Sequence, residues 1–136
     1  MSDRSIRRWW PPDEPSRREF GVVVPPRGSA SIRMPAICVV CGASPSASET
    51  TAEPRLHSRT LPVVVEEPAV GCFGEFMVRV EFGFPICEHC ARTNAARAAR
   101  AVRVLGARGH FNGATVHLAF RNRRFGRAFA AAVGRG

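Results

Sequence analysis

The sequence predicts a small α+β domain, and three observations predict it. Two Cys-x-x-Cys pairs, Cys38-Val39-Val40-Cys41 and Cys87-Glu88-His89-Cys90, are separated by 45 residues. The run from Glu75 to Phe84 alternates apolar and polar residues at the period of a strand. After Cys90 the period becomes helical, and the chain then closes with an alternating run and a second helical stripe. Four thiolates brought together make a tetrahedral pocket suited to Zn²⁺, and the two-residue gap lets both sulfurs of a pair reach one ion. The expected architecture is an antiparallel sheet of zinc-ribbon or treble-clef type with an Arg/Ala helix and a C-terminal strand–helix unit.

At 136 residues the chain has room for one domain. Much of its 45% apolar fraction is alanine, so the core is thin and a metal staple matters. Zinc binding supplies on the order of 10 kcal/mol of folding free energy to small domains of this kind. The five cysteines are an odd number, and residues 1–30 contain no apolar stretch of the signal-peptide type. The expectation is therefore a reducing, cytoplasmic setting with one structural zinc rather than disulfides. Arginine interrupts every candidate for the roughly 20 apolar residues a membrane helix needs.

Residues 1–33 read as a disordered arm, with Pro11-Pro12, Pro15 and Pro25-Pro26 breaking any regular element. Val22-Val23-Val24 could add a short strand, ended at once by Pro25. Trp9-Trp10 follows Arg7-Arg8, and two roles are open to it: an anchor for a protein partner, or a cover folded back on its own domain. The domain proper spans residues 34–136, with knuckles at 37–42 and 85–91. Ala43 to Pro54 is small and polar, a loop. Leu56 to Val65 contains Pro62 and is at best an edge strand. In the strand from Glu75, Phe76, Val78, Val80, Phe82 and Phe84 share one face, and it runs straight into Pro85-Ile86-Cys87. Gly71 and Gly74 mark the turn around Cys72.

Beyond Cys90, the spacing of Ala91, Ala95, Ala98, Val102 and Leu105 predicts one helix, with Gly106 as its C′ residue. Val116, Leu118 and Phe120 predict a strand. Asn122 is the N-cap candidate for a last helix whose buried stripe is Phe125, Ala128, Phe129 and Ala132, closed by Gly134. That spacing assigns these aromatics to the core rather than to a base-stacking platform.

The charge is placed unevenly. All 20 basic residues are arginine; residues 1–90 hold ten of them with all eleven acids, and the tail 91–136 holds the other ten with no acid. Base-composition bias accounts for arginine over lysine but not for the missing acids. The tail suits a polyanion, either nucleic acid or another anionic surface. The candidate contacts are Arg92, Arg97, Arg100 and Arg103 on one helix face, with Arg121, Arg123, Arg124 and Arg127 adding to it.

No catalytic constellation assembles from these residues. Four cysteines close a zinc site, whereas catalytic zinc keeps a position open for water. The zinc-deaminase pattern fails because Ser58-Arg59 follows His57 and Ile86 separates Pro85 from Cys87. A His-Asn-His endonuclease would need a histidine ahead of the second knuckle, and residues 60–86 contain none. A thioredoxin-like role would use one Cys-x-x-Cys pair at a helix start, but the second pair makes metal binding the better account. His57, His89, His110 and His117 have no partner spacing, and Cys72 is a spare thiol.

At Ile37-Cys38-Val39-Val40-Cys41-Gly42 and Phe84-Pro85-Ile86-Cys87-Glu88-His89-Cys90, the chain resembles a group of small uncharacterised bacterial proteins with a double Cys-x-x-Cys motif. The ending Val116 to Asn122, with Phe125 and Phe129, resembles the strand-then-helix close of some of them. The resemblance implies zinc ligation by Cys38, Cys41, Cys87 and Cys90. It brings no established activity. Members of that group often carry membrane helices after the second knuckle, where this chain has its Arg/Ala segment.

Overall fold

The strand β3, Gly74–Ile86, shows most directly how the pattern becomes structure. Phe82 and Phe84 are buried and Val78 and Val80 half-buried on one face, while Met77, Arg79, Glu81 and Gly83 are exposed on the other. The computed structural model describes residues 10–26, 32–44, 59–93 and 95–135. Trp9, His57 and most of the loop expected over residues 43–54 lie outside these. β3 pairs antiparallel with β2, Arg59–Gly71, in a continuous register from Arg59↔Ile86 to Gly71↔Gly74. β2 runs further than the edge strand expected at Leu56–Val65, and it carries both Pro62 and Pro68. In a two-stranded ribbon each strand keeps an unpaired edge, so a residue without N–H costs the ladder nothing there.

The second sheet has the order β1-β5-β4, formed by β1 (Phe20–Val24), β5 (Gly113–Phe120) and β4 (Val102–His110). All its pairings are antiparallel, with Phe20 opposite Phe120 and Val24 opposite Val116. The disordered-arm reading of residues 1–33 therefore needs correction at residues 20–24. Val22 and Val24 point into the core, so this stretch is an integral edge strand.

The single helix expected after Cys90 is also corrected. Two short helices form, α1 (Glu88–Thr93) and α2 (Ala95–Ala101), and the chain then turns into β4. Val102 and Val104 are β-branched at alternate positions, a pattern that suits a strand once β5 offers a ladder. Leu105 is buried, as the stripe required, but from a strand. Gly106 lies mid-strand beside the register shift between Val104 and Gly106, a β-bulge rather than a helix cap. Gly109 is where β4 crosses β2: a Cβ there would lie 2.4 Å from the Pro68 carbonyl oxygen, so only glycine fits.

The final helix, α3 (Arg123–Arg135), starts as expected, with Asn122 Oδ1 accepting the Phe125 N–H at 2.9 Å. Gly134 lies inside its last turn rather than beyond it. Phe125 and Phe129 are fully buried with Phe84 and Phe120. Ring centroids run 5.4 Å from Phe84 to Phe120, 5.8 Å to Phe125 and 5.5 Å to Phe129. Such pairs contribute about 0.5–1.5 kcal/mol each beyond their buried area. This aromatic knot joins the ribbon, the second sheet and α3, and it makes up for the alanine elsewhere. Among the described residues no helix is long and apolar enough to cross a membrane.

Candidate metal centre

The first knuckle is a tight turn set by its own backbone. The Cys38 N–H donates to the Ala43 carbonyl at 2.9 Å, and the Gly42 N–H donates to the Cys38 carbonyl at 2.9 Å. Gly42 has φ +77°, a left-handed conformation that glycine adopts at no steric cost, and a Cβ there would also press on Asn122 Nδ2 at 2.9 Å. The second knuckle is delivered by the end of β3, with Cys90 in the opening turn of α1, where the Ala91 N–H donates to the Cys87 carbonyl. One main-chain bond stitches the two together: the Val39 N–H donates to the Pro85 carbonyl at 2.8 Å.

The result brings Cys38, Cys41, Cys87 and Cys90 together, with all four sulfurs within 4.8 Å of one another. The Sγ atoms of Cys41 and Cys87 are 3.8 Å apart. A tetrahedron with Zn–S bonds of about 2.3 Å has edges of about 3.8 Å, the separation of Cys41 and Cys87, and the quartet as a whole is close enough to hold one metal ion. Cys38 and Cys90 are buried, Cys87 is half-buried and Cys41 is exposed.

Backbone amides prepare the sulfurs for negative charge. The Val40 and Cys87 N–H groups point at Cys38 Sγ at 3.4 and 3.3 Å, and the Cys90 N–H at Cys87 Sγ at 3.5 Å. Burial raises the Cys38 thiol, but the N–H groups of Cys41, Cys87 and Val40 outweigh it and bring it down to about 7. Burial pushes Cys41 up, and Cys90 is pushed far up by burial and by the sulfurs of Cys87 and Cys41. Several thiolates cannot share this space alone, and a divalent cation relieves their repulsion. Metal uptake by such a quartet would accordingly be coupled to proton release.

Cys72 lies exposed in the β2–β3 turn and is not part of the quartet. His89 projects from α1 into solvent, His110 Nε2 bonds Thr115 Oγ1 at 2.8 Å, and His117 meets the Trp10 ring edge-on at 5.3 Å between centroids. Arg108 lies over the same Trp10 ring at 5.6 Å, so Trp10 is folded against its own domain while 41% exposed.

The arginines expected on one face are divided among several places. Arg92 pairs with Glu88 at 3.8 Å. Arg103, on β4 rather than a helix, binds Glu19 at 2.7 Å and reaches Asp13 at 4.0 Å. Arg123 donates to the Arg17 carbonyl at 3.2 Å, and Arg124 and Arg127 are exposed on α3. Arg97, Arg100 and Arg121 converge on one cleft, where Arg18 joins them. Sequence reasoning missed Arg18 because it lay in the presumed arm; the Val22–Val24 strand signal next to it was the available clue. No family model, curated protein or solved structure matches this chain.

Proposed function

We propose that the chain is a non-enzymatic binding module whose fold is held by one structural Zn²⁺ on Cys38, Cys41, Cys87 and Cys90. The observation that carries the reading is the spacing of the four sulfurs, within 4.8 Å of one another and donated in two amide-lined pairs. A site with four thiolates has no coordination position for water or substrate, so its role is to fix structure. Inside the second knuckle Glu88 is paired with Arg59 and Arg92 and His89 is exposed, while the exposed Cys41 faces its sulfur partner Cys87. The zinc would clamp the first knuckle to the ribbon and to α1, adding to the burial of Ile37, Val39 and Val40 in the core. Elemental analysis of protein purified under reducing conditions should find about one zinc per chain. A folded, metal-free protein, or one with disulfides within the quartet, contradicts the proposal.

A further inference from the structure

Three of the tail's arginines meet at one concave place. A cleft of about 450 Å³ is lined by Arg18, Arg97, Arg100 and Arg121, with Val40, Ala101 and Asn122 completing its walls and no carboxylate among them. Three elements bring the guanidinium groups there. Arg97 and Arg100 are three apart on α2 and share a face. The β1–β5 pairing, which sets Phe20 opposite Phe120, places Arg18 and Arg121 at the same end of the sheet. The Arg121 N–H donates to the Ala101 carbonyl at 3.1 Å, holding that end against α2.

Among the described residues, Arg18, Arg97 and Arg121 have no acidic partner, and Arg100 spends only its Nε, on the Ala96 carbonyl at 3.3 Å. The carboxylate on the adjoining wall, Glu19, is occupied by Arg103. Asn122 is committed on both sides: Oδ1 caps α3, and Nδ2 donates to the Val40 carbonyl at 3.4 Å. It therefore forms the floor and ties the cleft to the first knuckle. The N-terminus of α3 opens at the same place and adds partial positive charge. Among the described residues no aromatic ring lines the cleft.

We infer that this cleft is a binding site for a phosphate group, gripped by the forked guanidinium donors of Arg97, Arg100, Arg121 and Arg18. Arginine matches tetrahedral oxyanions through paired N–H donors, and a phosphate entering here neutralises charges that otherwise repel one another. The same chemistry is offered by a small phosphorylated compound and by a nucleic-acid backbone, and the experiment separates them. The zinc-loaded full chain is titrated calorimetrically with sodium pyrophosphate at about 50 mM salt, where phosphate contacts are strongest. A mixed-sequence single-stranded DNA of about 10 nucleotides serves as the second probe, alone and in competition.

Saturable binding of at least one probe is expected, weakened about tenfold or more by Arg97→Gln with Arg121→Gln. Arg124→Gln with Arg127→Gln, which removes the same charge outside the cleft, should leave affinity unchanged. Arg18→Gln alone, outside helix and strand, repeats the test should the first pair disturb folding as read by circular dichroism and zinc content. DNA that displaces pyrophosphate and binds more tightly identifies the source as a nucleic-acid backbone; pyrophosphate binding that DNA does not displace identifies a small phosphorylated compound. If neither probe binds, or if both variant pairs weaken binding equally, the assignment is overturned, since the tail is then only a diffuse positive charge.

Discussion

Two carboxylates show how differently this chain treats its acids. Glu67 on β2 is only 7% exposed, and its Oε1 has no hydrogen-bond partner among the described residues; burial pushes its carboxyl above the usual range. A folded-state pKa above the unfolded one means that its contribution is most favourable at low pH and is lost as pH rises through the folded value. Glu67→Gln should therefore stabilise the protein at neutral pH by on the order of 1 kcal/mol and flatten that part of the pH profile, as read by denaturant midpoints. Glu19 has the opposite sign. The Arg103 guanidinium is the main cause that holds its carboxyl down at about 2, against the cost of burial. Its stabilisation is fully present above the unfolded carboxyl pKa and disappears as pH falls through about 2. Arg103→Gln should remove most of this acid-side dependence, leaving the part due to the Ser16 N–H, and cost about 1 kcal/mol near neutrality. The same pairing takes Arg103 out of the polyanion surface to which its sequence position assigned it.

Among the elements, those with an unambiguous period were legible and those with alternatives were not. β3 alternates over its length and ends at a cysteine, and α3 begins with Asn122 ahead of two phenylalanines at helical spacing; both were readable. The quartet was readable too, because Cys-x-x-Cys spacing is a chemical requirement independent of fold. The segment after Cys90 was misread because small residues satisfy either period. Ala98, Val102 and Leu105 do lie inward, as the stripe implied, yet the ladder offered by β5 makes the last two strand residues. The contact that shapes this region, Gly109 against Pro68, joins residues far apart in sequence and leaves no local signal. Gly109→Ala should cost about 1–3 kcal/mol, because the clash is with rigid backbone, and thermal unfolding will register it. Asn122→Ala removes both the α3 cap and the bond to Val40, and should cost at least about 1 kcal/mol.

On the scale of the whole molecule, the aromatic knot and the cysteine quartet divide the work of cohesion. Phe84, Phe120, Phe125 and Phe129 join the ribbon to the second sheet, and the knuckle at 37–42 is joined to the rest through its buried Ile37, Val39 and Val40 as well as through the sulfurs, the Val39–Pro85 bond and Asn122. Metal removal by a chelator should accordingly lower the melting temperature steeply and release the region around the knuckle. Cys87→Ser should unfold the domain, since it breaks the quartet where β3 passes into α1. Charge has a similar division, with most of the tail's arginines paired or dispersed and a few gathered beside the first knuckle. A purely structural role requires the quartet to be a closed shell. X-ray absorption at the zinc edge on the purified, reduced protein tests that most directly. It should show four sulfur ligands at about 2.3 Å and no lighter atom in the first shell. A shell with an oxygen or nitrogen ligand, or with fewer than four sulfurs, would mean an open site and contradict a purely structural role.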